Sequence, residues 1–338
     1  MFTEAMIQIY TQAETFRQGL GIPRGAEIQC SFLAQGEYHR NYRFLHPVTG
    51  QALVLRVNFG SQMHLERQIA YEFETLRLLE PSGRTPKALL VDEEGICGHG
   101  ALVMEYLEGR PLDYDLDLKK AAACLADVHS VPVPADSHLL SGGNTAAEIL
   151  AECRQMFQVY RQSPLSEPYK TAWIDELLDK GEAGAKSPLM TDYTPCCINT
   201  ELNNTNFLVD DESGLARLID WEKPLYGDPA QDLGHFLAPT TTFWKTDVIL
   251  SRGQMDRFID DYIEAAHGPV DGERLRDRVN ILAPVTCLRG ITWCAMAWIE
   301  YQQPDRQLRN ASTFEKLGRY LEDSFLQMVE EQLAALDA

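Results

Sequence analysis

Apolar positions along the chain fall into two regimes. In the first hundred residues they gather in short runs rich in aliphatic and aromatic side chains, at 28–32, 42–45, 52–57, 88–92 and 101–106. Runs of this length bounded by turn residues read as strands. Gly36 and Pro47-Val48-Thr49-Gly50 supply the punctuation, and the second of these predicts a hairpin. One helical pattern interrupts the series: Leu65, Ile69, Phe73, Leu76 and Leu79 recur at helical spacing over about 62–80, and Pro81-Ser82-Gly83 stops it. The first 25 or so residues read as one helix that ends near Gly19-Leu20-Gly21-Ile22-Pro23. After Leu107-Glu108-Gly109-Arg110-Pro111 the periodicity becomes helical, apart from a β-rich stretch at about 196–220. The most apolar stretch, 279–299, is interrupted by Asn280, Pro284 and Arg289, which predicts a buried helix pair rather than a membrane span. A last helix over about 313–336 carries Phe314, Leu317, Leu321, Phe325 and Met328 on one stripe and is expected to pack on the core. The pattern predicts an α+β protein of two lobes. Residues 1–106 form an antiparallel-sheet lobe with one helix, and 107–338 form a larger, mainly helical lobe.

Charge narrows the partners. Thirty Lys and Arg against fifty Asp and Glu leave a formal charge of −20. This is the wrong sign for a duplex nucleic acid or an anionic membrane surface, and it is compatible with a cationic ligand. The N-terminal segment holds acids and no long apolar run, so it does not read as a signal peptide. The eight cysteines (Cys30, Cys97, Cys124, Cys153, Cys196, Cys197, Cys287, Cys294) contain no CxxC and no zinc-like spacing with His. Reduced thiols and a cytoplasmic location are the expectation.

The segment 196–222 carries the chemistry. Glu201 is followed five residues later by Asn206 and a short apolar strand, Phe207-Leu208-Val209; Asp220 then ends the next apolar strand. Two strands joined by a turn would set Asn206 and Asp220 side by side, where one amide oxygen and one carboxylate suit a hard cation such as Mg²⁺. Glu201 would lie across the loop, near an acceptor hydroxyl. Phosphoryl transfer needs mostly positioning and charge neutralisation, which this set supplies.

These residues resemble the aminoglycoside phosphotransferase and choline kinase family, small-molecule kinases with a protein-kinase-like fold. The family's H-x-D-x-x-x-x-N segment is met here by Asn199, Glu201 and Asn206, its I-D-W-E-like segment by Ile219-Asp220-Trp221-Glu222, and its G-D-P-x-x-D segment by Gly227-Asp228-Pro229-Ala230-Gln231-Asp232. Asn199 stands where His is usual, and Glu201 where Asp is usual. The resemblance implies ATP and Mg²⁺ as cofactors. It assigns catalysis to Glu201, Asn206 and Asp220, Mg²⁺ ligation to Asn206 and Asp220, and a bracing role to Asp232. A catalytically weak or inactive nucleotide-binding protein on the same fold is the alternative.

The N-terminal lobe extends the resemblance. Arg56, in Leu53-Val54-Leu55-Arg56-Val57, would contact the nucleotide phosphates. On the following helix Glu72 falls within the apolar arc of Leu65, Ile69 and Leu79, where a carboxylate is costly unless paired, and Arg56 is its natural partner. The loop around Gly36 occupies the place of a phosphate cover. Backbone groups at Met104, Glu105, Tyr106 and Leu107 would meet an adenine edge.

The resemblance implies a small hydroxyl compound as acceptor, with cationic molecules expected first (aminoglycosides, choline- or ethanolamine-like amines) and sugars also in range. Aromatic residues of the second lobe, with Trp244, Trp293 and Trp298 foremost, can supply cation–π contacts, although core packing is the plainer use of most of them. Trp293 and Trp298 are five apart, so on one helix they project about 140° from each other. Glu222 and Glu300 can add negative charge. His129 and His235 are expected to pack structurally.

Overall fold

A computed structural model describes residues 3–96, 98–303 and 311–334; Cys97 lies outside the described residues. The chain opens with α1 (Glu4–Gln12) and α2 (Glu14–Leu20), then β1 (Ser31–Gln35), β2 (His39–Leu45), β3 (Ala52–Asn58), α3 (Gln68–Leu79), β4 (Ala88–Ile96) and β5 (His99–Glu105). The strands form one antiparallel sheet in the order β1-β2-β3-β5-β4.

The expected first helix is split. Ala13 takes an extended ψ of 140°, and the break lets Ile7 and Tyr10 from α1 and Phe16 from α2 cover the same sheet residues, including Phe44, Leu53 and Leu55. Buried Arg17 fixes the corner by donating to the carbonyls of Pro23 and Ala26. The apolar residues at 28–30 serve this packing, so the first strand starts later than its hydrophobicity predicts and is an exposed edge. Helix α3 also starts six residues late. Ser61 accepts from Leu65 N–H and His64 sits at φ 56°, so 62–67 is a turn that leads into the helix.

The second lobe comprises β6 (Arg110–Pro111), α4 (Leu118–His129), α5 (Thr145–Arg161), α6 (Pro168–Ala185), β7 (Cys196–Ile198), β8 (Phe207–Val209), β9 (Ala216–Leu218), β10 (Leu225–Gly227), α7 (Pro229–Leu237), α8 (Pro239–Thr246), α9 (Arg252–Ala265), α10 (Gly272–Tyr301), α11 (Ala311–Arg319) and α12 (Asp323–Ala334). The expected helix pair at 279–299 is instead the single α10, which continues through Pro284. Tertiary packing overrides the lost backbone bond, because α10 is the spine against which α5, α6, α7, α8, α11 and α12 pack. It is long and apolar enough to cross a membrane by composition, yet 72% of that apolar window is buried inside the protein. The expected last helix is two, α11 and α12. Leu317, Leu321 and Phe325 are buried as the stripe requires, and residues 335–336 lie outside the described residues.

Candidate active site

Strand β7 delivers the chain into a tightly tethered loop. Asp232, on the first turn of α7, accepts from the backbone N–H of Asn199 at 2.7 Å and of Thr200 at 2.8 Å. It also meets the ring of His129 at 3.2 Å, whose other nitrogen lies 3.0 Å from Tyr262 Oη. Thr200 sits at φ 74°, a left-handed conformation that costs a non-glycine residue about 1–2 kcal/mol, and its hydroxyl donates to Lys223 O at 2.8 Å. Replacing Asp232 with Ala strands two buried N–H donors beside that strained residue. The expected result is a loss of about 2–3 kcal/mol in urea unfolding, water refilling part of the vacated volume.

Beyond the bend, Asn206 donates its side-chain N–H to Glu201 O at 2.9 Å. Strands β8 and β9 pair Phe207 with Leu218, and Ile219 N–H donates to Asn206 O at 2.8 Å. Asn206 and Asp220 therefore stand side by side, as the hairpin reading requires. Asp220 is also left-handed, at φ 67°. Asn199 ties the two loops together: its amide donates to Asp220 O at 2.8 Å, and its oxygen accepts from Glu201 N–H at 3.2 Å. In place of the usual His, Asn199 thus acts as a two-ended bridge.

Arg56 forms the second centre. Its Nε lies 2.9 Å from Glu72, which is only 1% exposed, and its Nη2 donates to Asp220 at 2.9 Å and Glu222 at 3.3 Å. His39 lies 2.7 Å from Glu222 and 3.2 Å from Arg56. Among the described residues Arg56 Nη1 has no protein partner. Burial pushes the Glu72 carboxyl above its usual range and outweighs the pull of Arg56. Burial acts the same way on Glu222, but there the hydrogen bond with His39 and the charge of Arg56 prevail and hold it low. Glu222, expected beside an acceptor, instead belongs to this cluster because Gln68 of α3 donates to its backbone O at 2.6 Å and turns its side chain toward the sheet.

Gly36 is exposed in the β1–β2 loop, with its N–H donating to His39 O at 3.0 Å. At the end of β5, Met104 pairs with Val54. The N–H of Glu105 is spent on Lys87 O at 2.9 Å and that of Tyr106 on Ala52 O at 3.0 Å. Leu107 carries the next backbone N–H that the sheet does not use.

On the other side of Glu201 a cavity of about 760 Å³ opens between the 199–206 loop and helices α5, α7, α8 and α10. Trp244 and Trp293 line it, edge to face with centroids 5.6 Å apart. Trp298 does not. It stacks on Phe314 and tilts against Tyr160, on the face of α10 that the 140° offset assigns it. Glu300 is likewise absent from the cavity wall. Four residues that the sequence reading did not place here are close to the site. Lys223 lies 3.0 Å from Glu201, and Arg289 lies 3.0 Å from Glu152. His235 lines the cavity, and burial together with the charge of Arg289 pushes its ring down to about 4. His39 is the fourth.

The family model of the phosphotransferase enzyme family matches residues 29–282, about three quarters of the chain. The chain belongs to the phosphotransferase enzyme family. This phosphotransferase is also similar to solved structures along almost its whole length. A Plasmodium vivax ethanolamine kinase is 12% identical, with 98% of this chain and 91% of that chain covered and a TM-score of 0.64. A choline kinase from Cryptosporidium parvum is 11% identical, with 98% and 96% covered and a TM-score of 0.65. A spectinomycin phosphotransferase in complex with ADP and spectinomycin is 14% identical, with 91% and 94% covered and a TM-score of 0.60. At these identities the likeness is one of fold, and the fold is the protein-kinase-like α+β arrangement expected from the sequence. No curated protein matches the chain significantly.

Proposed function

We propose that this phosphotransferase moves the γ-phosphoryl group of ATP to a hydroxyl of a small molecule. The observation that carries the reading is the convergence of Asn206, Asp220 and Arg56 at the foot of the sheet, with Glu201 standing between them and the cavity. ATP would lie between the two lobes, with the boundary at 106/107. Leu107 N–H would donate to the adenine edge, the Gly36 loop would cover the phosphates and Arg56 Nη1 would reach them.

The residues at the hairpin fit Mg²⁺. The Asn206 amide donates its N–H inward to Glu201 O, which leaves Oδ1 as a free hard donor. Asp220 gives one carboxylate oxygen to Arg56 and keeps the other on a side chain 41% exposed. Mg²⁺ usually takes one or two protein oxygens and fills the rest of its shell from phosphate and water. Bound there, it would neutralise charge on the phosphates. Glu201 receives the proton of the acceptor hydroxyl as that oxygen bonds to the γ-phosphorus and the bond from phosphorus to the ADP oxygen breaks. Lys223 fixes the direction of the Glu201 carboxylate. Asn199 and Asp232 hold the loop in register.

The test is ADP formation that requires both Mg²⁺ and a hydroxyl acceptor, with the phosphorylated product identified by mass spectrometry. Binding of Mg·ATP with no transfer to any acceptor would favour the non-catalytic alternative.

A further inference from the structure

The cavity next to Glu201 speaks to the acceptor's charge. Three charged side chains line its wall, Glu152, Glu201 and Arg289, and Lys223, outside the lining, pairs with Glu201. Both carboxylates are already paired, Glu201 with Lys223 at 3.0 Å and Glu152 with Arg289 at 3.0 Å. Counted with Lys223, the four charges sum to zero, although the whole chain carries −20. The global charge draws cations toward the protein, but it does not supply a partner inside the cavity. An ammonium group that enters must shed water, and without a free carboxylate that cost is not recovered.

The uncharged polar groups are in the opposite condition. Gln62, Gln155, Thr241, Trp244, Trp293 and His235 line the cavity, and among the described residues their side-chain polar groups have no hydrogen-bond partner. His235 is a neutral imidazole that offers one donor and one acceptor. Trp293 is 41% exposed and presents apolar ring surface with one polar edge. A wall of free neutral donors and acceptors beside an aromatic surface matches a molecule that alternates hydroxyl groups with C–H faces.

We propose that the acceptor is an uncharged polyhydroxyl compound, a neutral glycoside or polyol seated against Trp293 and Trp244, and not an amine cation. This rests on the phosphotransferase reading above. It departs from the cationic acceptor that composition suggested.

The experiment gives the full-length protein, saturated with Mg·ATP, three sets of acceptors: uncharged (methyl glucoside, maltose, myo-inositol), cationic (kanamycin, choline, ethanolamine) and zwitterionic (homoserine). Phosphorylated product and tryptophan fluorescence are both followed. The expected result is saturable quenching and transfer with a member of the uncharged set, at a kcat/KM about tenfold or more above every cation. Trp293→Ala should raise the acceptor KM about tenfold while the KM for ATP stays put. Arg289→Gln, which frees Glu152, should shift the preference toward the cations. Preference for a cation or for homoserine overturns the proposal, as does a lack of both quenching and transfer across the uncharged set. Thermal stabilisation by Mg·ATP, measured in parallel, separates the two readings. If it persists while the uncharged set fails, only the acceptor class falls; if it is absent, the phosphotransferase reading falls.

Discussion

Glu201→Gln is expected to lower kcat by about two to four orders of magnitude, the range contributed by a positioned acid–base group, and to leave the protein folded and able to bind Mg·ATP. The structure separates the two effects. The loop is held through the backbone of residue 201: its carbonyl accepts from Asn206 and its N–H donates to Asn199. Among the described residues the side chain makes one partner contact, to Lys223 at 3.0 Å. Both members of that pair are partly exposed, so its loss costs about 1 kcal/mol or less. Gln keeps the shape and removes the proton acceptor. Glu201→Asp restores a carboxylate one methylene further back and should recover part of the rate. Steady-state kinetics alongside a urea melt checks all three statements, and a Gln variant with undiminished kcat would remove Glu201 from the reaction.

The second large effect is on stability. Arg56 is the buried cation on which Glu72, Asp220 and Glu222 all draw. Arg56→Met leaves Glu72 in the interior without its guanidinium, beside the His39 ring 3.6 Å away, at an expected cost of about 3–5 kcal/mol. The double variant Arg56→Met, Glu72→Met should regain most of that loss, because the penalty belongs to the orphaned charge. The pH dependence has a definite sign. Glu72 already binds its proton more tightly in the folded protein than it does unfolded, and without Arg56 this bias grows. The penalty is therefore absent below the ordinary carboxylate pKa and rises as pH climbs through the folded value. Urea midpoints should show a smaller gap between wild type and Arg56→Met near pH 5 than near pH 8. A gap that widens toward acid would contradict the assignment.

What could be read from the sequence was local, or rested on a single periodicity. The spacing from Glu201 to Asn206 to Asp220 fits one hairpin, and the hairpin forms with Phe207 opposite Leu218. The Arg56–Glu72 pair followed from an acid on an apolar helical arc. The divergence of Trp293 and Trp298 followed from their five-residue offset. Partners set by tertiary register stayed hidden. His39 reaches Arg56 only because β2 and β3 pair His39 with Asn58 and Asn41 with Arg56, which puts the two side chains diagonally on one face. In the bend after Asp220, neighbouring residues part company: Glu222 turns to the sheet and Lys223 to Glu201. Arg289 read as an interruption in an apolar stretch, and only the packing of α10 against α5 reveals it as a wall of the cavity. The helix breaks at Ala13 and between α11 and α12 follow from the surfaces those helices cover, which periodicity alone does not contain.

Asn206 and Asp220 are proposed as the metal-dependent end of a nucleotide site. Thermal unfolding with ATP, in the presence of Mg²⁺ or of EDTA, tests it most directly. At a hundred times Kd, bound nucleotide should stabilise the wild type by about 2.7 kcal/mol, a rise of several degrees in Tm. That rise should vanish in EDTA and in Asp220→Asn. An equal rise in EDTA, or an undiminished rise in Asp220→Asn, would contradict the account.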